Sequence, residues 1–257
     1  MHPYFYIFGH TISGYALMGL IGFGAVIIFI LLECRRKGFS FDDAAYLLAL
    51  SMIGMIIGAK SLYIVTVIPE IIGNWNRIVT NPITYVKAYL SGGMVFYGGL
   101  FGSILAAKKA ASYFHIHLAT HYDIFIPAIP LFAGFGRLGC FMEGCCFGKK
   151  TEHYPYIIFR SSLFAPNDVP LIPTQLYEAV FDFFLFFVLL YLGSKKDYVS
   201  KLLDIYLVVY ALFRFVIEFF RGDSVRGIFL LSTSQWISIL ILCFFTSWRL
   251  RSRKQRT

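Results

Sequence analysis

Seven long apolar runs constrain what this chain can fold into. They lie at about 11–32, 43–68, 93–113, 122–142, 173–193, 202–220 and 228–248, and charge or glycine interrupts the second and the fourth. A helix needs roughly 20 apolar residues to cross the hydrocarbon core of a bilayer, and the runs approach or exceed that length. Only 14% of the 257 residues are charged and 58% are hydrophobic, against about 25% charged in soluble domains. Mean hydropathy is +0.69. A water-soluble molecule would need polar surface that this chain lacks. The expected fold is all-α, a polytopic transmembrane helix bundle forming a single integral membrane domain over residues 1–257.

Charge between the runs gives an orientation. Arg35, Arg36, Lys37, Lys108, Lys109, Lys195, Lys196, Lys201, Arg249, Arg251, Arg253, Lys254 and Arg256 fall on one side. Arg77, Lys87, Lys149, Lys150, Arg160, Arg221 and Arg226 fall on the other, in longer loops. Short basic loops stay in the cytoplasm, so the N-terminus is expected outside and the C-terminus in the cytoplasm. The net charge of +9 is spread over these clusters rather than gathered in one patch, and nucleic acid is not an expected partner. The start, MHPYFYIFGHT, has no basic region ahead of its apolar run, so the first segment reads as a retained helix rather than a cleaved signal. Residues 69–92 mix aromatic and basic side chains and suit an outer arm along the membrane surface. Residues 143–172, with several prolines and polar residues, read as an irregular outer loop.

Charges inside spanning helices cost about 2.5–3.5 kcal/mol each on the insertion scale and need a reason. In VVYALFRFVIEFFRGD, Tyr210, Arg214 and Glu218 step by four, so they share a helix face and Arg214 can pair with Glu218. A structural ion pair would account for that spacing alone. With the orientation above, however, Tyr15, Tyr97, Arg137, Glu178 and Arg214 all lie near the outer ends of five different runs. Two arginines at one depth suit a phosphate, since a guanidinium offers several fixed donors to its oxygens. The nearest phosphate is a lipid head group.

Glycine and cysteine crowd two of the same stretches. SGGMVFYGGLFG and GFGRLGCFMEGCCFG fit close helix packing and equally fit a backbone that a ligand must approach. Cys140, Cys145 and Cys146 are spaced C-x4-C-C, which is not a strong zinc pattern, so a metal is the lesser expectation. A disulfide such as Cys140 with Cys145, reactive thiols favoured by Arg137, and plain packing all remain open.

Four stretches, SGYALMGLIGF, GGMVFYGGLFG, GRLGCFMEGCCFG and the pair PTQLYE and FRFVIEFFR, resemble the prolipoprotein diacylglyceryl transferase family, in the family's order and over nearly the whole chain. The resemblance implies a multi-pass enzyme of the bacterial inner (plasma) membrane. It implies transfer of a diacylglyceryl group from phosphatidylglycerol to the lipobox cysteine of a secreted prolipoprotein, a step of lipoprotein biosynthesis, with no metal or dissociable cofactor. Position by position, it implies catalytic roles for Arg137, Arg214 and Glu218, with Tyr97 where the family has histidine. It implies substrate contacts at Tyr15, Gly98, Gly99, Gly136, Glu143, Gly148, Gln175, Tyr177 and Glu178. The chain departs from the family pattern at three further places: Cys140 replaces an asparagine, Cys145 an acid and Ile172 a histidine. Two alternatives stand beside this reading. One is a related glycerolipid transferase whose acceptor differs and whose cysteine cluster takes part. The other is a non-catalytic lipid-binding or transport protein on the same scaffold.

Overall fold

The computed structural model describes residues 4–7, 10–91, 93–223, 227–228 and 231–254. Arg226 and Arg256, which enter the charge count, lie outside the described residues. The helices in chain order are α1 (Gly14–Lys37), α2 (Phe41–Gly73), α3 (Trp75–Thr80), α4 (Pro82–Ser91), α5 (Phe96–Tyr113), α6 (Tyr122–Glu143), α7 (Thr174–Gly193), α8 (Lys196–Val199), α9 (Leu202–Ile217) and α10 (Thr233–Lys254). Each of the seven apolar runs contains one long helix. α1, α2, α6 and α7 are long and apolar enough to cross a membrane. Together with the distribution of polar groups below, this makes the chain a helical membrane protein.

Three differences from the sequence expectation have local causes. The first helix starts at Gly14 rather than near 11, because β2 (His10–Ser13) pairs antiparallel with β1 (Tyr4–Ile7). The arm at 69–92 is mostly helical: α2 continues through Pro69 to Gly73, and α3 and α4 follow. The loop at 143–172 is not irregular throughout. Its strands β3 (Ile157–Ile158) and β4 (Pro170–Leu171) pair antiparallel, and Phe159, Ala165 and Leu171 form a small core against which Phe141, Phe147, Ile157 and Val169 pack.

The chain divides into two compact units, Lys37–Leu118 and the remainder, Met1–Arg36 with Ala119–Thr257. In the Lys37–Leu118 unit, Ser40 caps α2 by accepting from the Asp43 amide, and Asp42 and Asp43 occupy the first turn. Both features favour the positive end of the helix dipole. α2 and α5 then pack through two facing pairs of glycines, each three residues apart in between. A Cβ on Gly58 would run into the Gly98 carbonyl oxygen, and one on Gly102 into that of Gly54. Helix backbones approach this closely only where side chains are missing.

In the other unit α6 and α7 lie side by side. Gly134 receives the Phe183 ring, and Phe135 meets Phe183 edge to face at 5.3 Å. Phe181 of α7 stacks on Phe213 of α9. α1 seats Gly22 against Phe135 and reaches α7 through the Phe29–Phe186 contact. α7 is inverted relative to a helix in water. Val180, Phe184 and Phe187 face outward at 69%, 65% and 64% exposure, while Gln175, Glu178 and Asp182 are buried at 2% or less. Such a helix needs an apolar solvent outside and paired polar groups inside.

Candidate active site

The site lies where α6 ends, α7 begins and α9 ends. Arg137 stands in the last two turns of α6, Glu178 in the second turn of α7, and Arg214 in the last turn of α9. Glu178 joins the two arginines. Its Oε1 lies 2.6 Å from Arg214 Nη1 and its Oε2 lies 2.9 Å from Arg137 Nη1. Arg214 Nη2 is 2.7 Å from Glu218 Oε2, the i, i+4 pair that the spacing anticipates. That amine also donates to Ser234 Oγ of α10 at 3.4 Å. Arg137, Glu178, Asp182, Tyr210, Phe213 and Arg214 line one crevice. The polar face of α9 therefore turns to α7 and α6, and an ion pair expected within one helix becomes a network across three.

Two further members escape the sequence reading. Asp182, one turn beyond Glu178, is buried beside the network. Arg221, counted above with the outer-loop charges, is buried as well. Its side chain is 7% exposed, its Nε donates to Asp223 Oδ1 at 2.8 Å, and its Nη1 lies 4.0 Å from Glu178 Oε2. Burial disfavours the Arg221 charge, but Asp223, Cys146 and Glu178 outweigh it and raise the pKa above the ordinary guanidinium value. Steps of four from Glu178 and of seven from Arg214 are the signals that point to these residues.

Of the other expected contacts, Tyr15 packs directly over Gly139 of α6, where a Cβ would collide with its ring and backbone. Gly136 faces open space. Gly148 bridges to Arg221 and donates its amide to the Ile172 carbonyl. Glu143 ends α6, and its carbonyl accepts from Ser162 Oγ. Tyr177 is 38% exposed on the outward face of α7. Gly98 and Gly99 meet α2, so their neighbours are those of helix packing. Tyr97 is 1% exposed in the first turn of α5, in the other compact unit, and stacks on Phe101.

The cysteine segment is a turn built on the end of α6. Gly144 takes the left-handed conformation (φ 77°) that commonly terminates a helix, and Cys146 is left-handed too (φ 61°). Gln175 Nε2 donates to the Cys145 carbonyl at 2.8 Å, and Thr174 Oγ1 to the Cys146 carbonyl at 2.9 Å. All five cysteines are free thiols. Hydrogen bonds from the Cys140 and Cys145 thiols hold the Cys146 thiol well below its ordinary pKa range. Arg221 and Arg137 add to the effect, and burial opposes it.

Comparison with known proteins identifies the family. The family model for prolipoprotein diacylglyceryl transferase matches residues 3–248. The chain is 34% identical over 238 residues to the phosphatidylglycerol–prolipoprotein diacylglyceryl transferase of Clostridium tetani, covering 93% of this chain and 92% of that protein. It is 34% identical over 236 residues to the second such enzyme of Clostridium perfringens, covering 92% and 89%. With the Geobacter sulfurreducens enzyme it shares 34% over 228 residues, covering 87% and 84%. With the family model matched over residues 3–248 and relatives 34% identical over about nine-tenths of its length, the chain belongs to the prolipoprotein diacylglyceryl transferase family.

Proposed function

We infer that this protein transfers the diacylglyceryl group of phosphatidylglycerol to the lipobox cysteine of a secreted prolipoprotein. The observation that carries this reading is the pair of arginines, Arg214 buried and Arg137 largely so, spaced by the one carboxylate of Glu178. Each guanidinium has more donors than Glu178 can use, and the remainder suit the phosphate of the donor lipid. As the glycerol carbon–oxygen bond breaks, negative charge grows on the departing glycerol phosphate. Fixed donors aimed at such charge are worth several kcal/mol. Glu178 and Glu218 hold the guanidinium planes so that little reorganisation is needed when the charge develops.

Tyr15 and Gly136, beside this network, would shape the approach of the lipid. Tyr97 would take the histidine's place as a hydrogen-bond partner. With a reference pKa of about 10 a tyrosine is a poor base at neutral pH, so the acceptor thiol, of reference pKa about 8.5, needs help from elsewhere to ionise. The enzyme would sit in the bacterial inner membrane as seven spans, with the arginine network in the outer leaflet. The test is mass spectrometry of a lipobox peptide after incubation with purified protein and phosphatidylglycerol. A diacylglyceryl mass increment on the peptide cysteine is the expected result; an unmodified peptide beside intact, folded protein overturns the reading.

A further inference from the structure

The spacing C-x4-C-C is not a strong metal pattern, yet the fold gathers the three thiols into one compact cluster. The Sγ atoms of Cys140, Cys145 and Cys146 all lie within 4.8 Å of one another. Zinc–sulfur bonds of about 2.3 Å at tetrahedral angles place sulfurs roughly 3.8 Å apart, so side-chain adjustments of about an ångström bring all three onto one ion. The turn that does this is held from outside. Gln175 and Thr174, both fully buried, bond the carbonyls of Cys145 and Cys146, so the turn is fixed through its backbone. Among the described residues the thiols hydrogen-bond only one another and the Cys140 carbonyl, to which Cys145 Sγ donates at 3.7 Å. Cys146 itself takes the left-handed conformation (φ 61°). Among the described residues no fourth His, Cys, Asp or Glu joins the three, which leaves one position of a tetrahedral ion open. Three thiolates around a divalent ion leave one excess negative charge, and both Arg137 and Arg221 act electrostatically on Cys146.

We propose that Cys140, Cys145 and Cys146 form a three-thiolate site for a zinc-class ion, whose open fourth position takes the thiol of the acceptor substrate. Thiolate sulfur is the soft ligand such ions prefer, and a coordinated thiol loses its proton outright. This supplies the ionised acceptor for which Tyr97 is a poor base. Arg137 lies three residues before Cys140, one turn along the same face of α6, so the ion would sit beside the arginine network. In the transfer, the metal-bound sulfur forms a bond to the glycerol carbon that carries phosphate. The carbon–oxygen bond breaks, glycerol phosphate leaves with the electron pair, and the proton displaced from the thiol has already gone to solvent. No oxidation or reduction occurs. The fourth-position role rests on the transferase reading; the metal site does not.

The test uses full-length protein in detergent under reductant, stripped with a chelator and titrated with cobalt(II) as a spectroscopic stand-in for zinc. The expected result is one cobalt per chain, with a thiolate charge-transfer band and tetrahedral ligand-field bands. Cys140→Ser and Cys146→Ser should weaken binding roughly tenfold or more, while Cys34→Ser and Cys243→Ser leave it unchanged. A lipobox peptide should shift the ligand-field bands, and its serine counterpart should not. If the serine variants fold poorly, alkylation of the wild type decides. Zinc should slow modification of Cys140, Cys145 and Cys146 and leave Cys243 unaffected. No charge-transfer band in reduced protein, a band that survives loss of all three thiols, or equal alkylation with and without zinc overturns the site. A cobalt spectrum indifferent to the peptide overturns the fourth-position role. Metal and peptide binding without a diacylglyceryl product would instead sink the transferase reading and leave the site standing.

Discussion

Glu178 Oε1 lies 2.6 Å from Arg214 Nη1, in a salt bridge whose side chains are 3% and 10% exposed. The same carboxylate also meets Arg137, so one residue of α7 sets the separation of two guanidinium groups on different helices. Glu178→Gln keeps the shape and removes the charge that both arginines share. Breaking a buried pair from one side costs on the order of 3–5 kcal/mol. Thermal unfolding of the variant in detergent should show that loss, and a melting temperature equal to wild type would mean the network is solvated in practice.

Arg214→Lys tests geometry rather than charge. A lysine cannot fill the places of Nη1 and Nη2, which contact Glu178 and Glu218 separately. The expected loss is about a hundred- to a thousandfold in transfer rate, with insertion and folding kept. Arg137→Ala should lose a similar amount. Near-normal rates in either variant would reduce these arginines to structural pairs.

The helices and the pairing of Arg214 with Glu218 were legible in the sequence, because apolar length and a step of four residues are local signals. The bridge by Glu178 was not, since nothing local says which face of α7 turns to α6 and α9. Arg221 was misleading for a related reason. Its neighbours Gly222 and Asp223 suggest a solvated loop, whereas the backbone pairing of Gly148 with Arg221 folds that loop over the end of the network. The cysteine turn depends on Gln175 and Thr174, about thirty residues downstream, and no spacing rule spans that gap. The glycines of SGGMVFYGGLFG could be read either way until their partners Gly54 and Gly58 were seen opposite them.

Those glycines give a paired prediction. Gly58→Ala places a methyl group against the Gly98 carbonyl and should destabilise the Lys37–Leu118 unit by about 1–3 kcal/mol. Limited proteolysis across a temperature series reads this directly. Gly136→Ala meets nothing within 4 Å, so stability should hold or rise slightly. If the open space at Gly136 is the lipid's path, the transfer rate of that variant should fall. Unchanged stability in the first variant, or an unchanged rate in the second, would contradict the corresponding assignment.

Orientation is testable by fusion. A reporter joined after Lys196 should report cytoplasm, and one inserted near Asn167 should report the periplasm. Reversed signals would place the arginine network at the cytoplasmic leaflet and remove its access to an exported acceptor.

The shared carboxylate also has a consequence for biogenesis. As a spanning helix, α9 would enter the bilayer with Arg214 and Glu218 already matched on one face. α6 has no such internal match for Arg137, and α7 none for Glu178; each charge finds its counterpart on the other helix. Lone charges at membrane depth are costly, so the favourable order is for α6 and α7 to partition as one hairpin, joined by the 143–172 loop, before α9 arrives to complete the set. The carboxylate that joins two arginines would thereby also schedule the assembly of the helices around it.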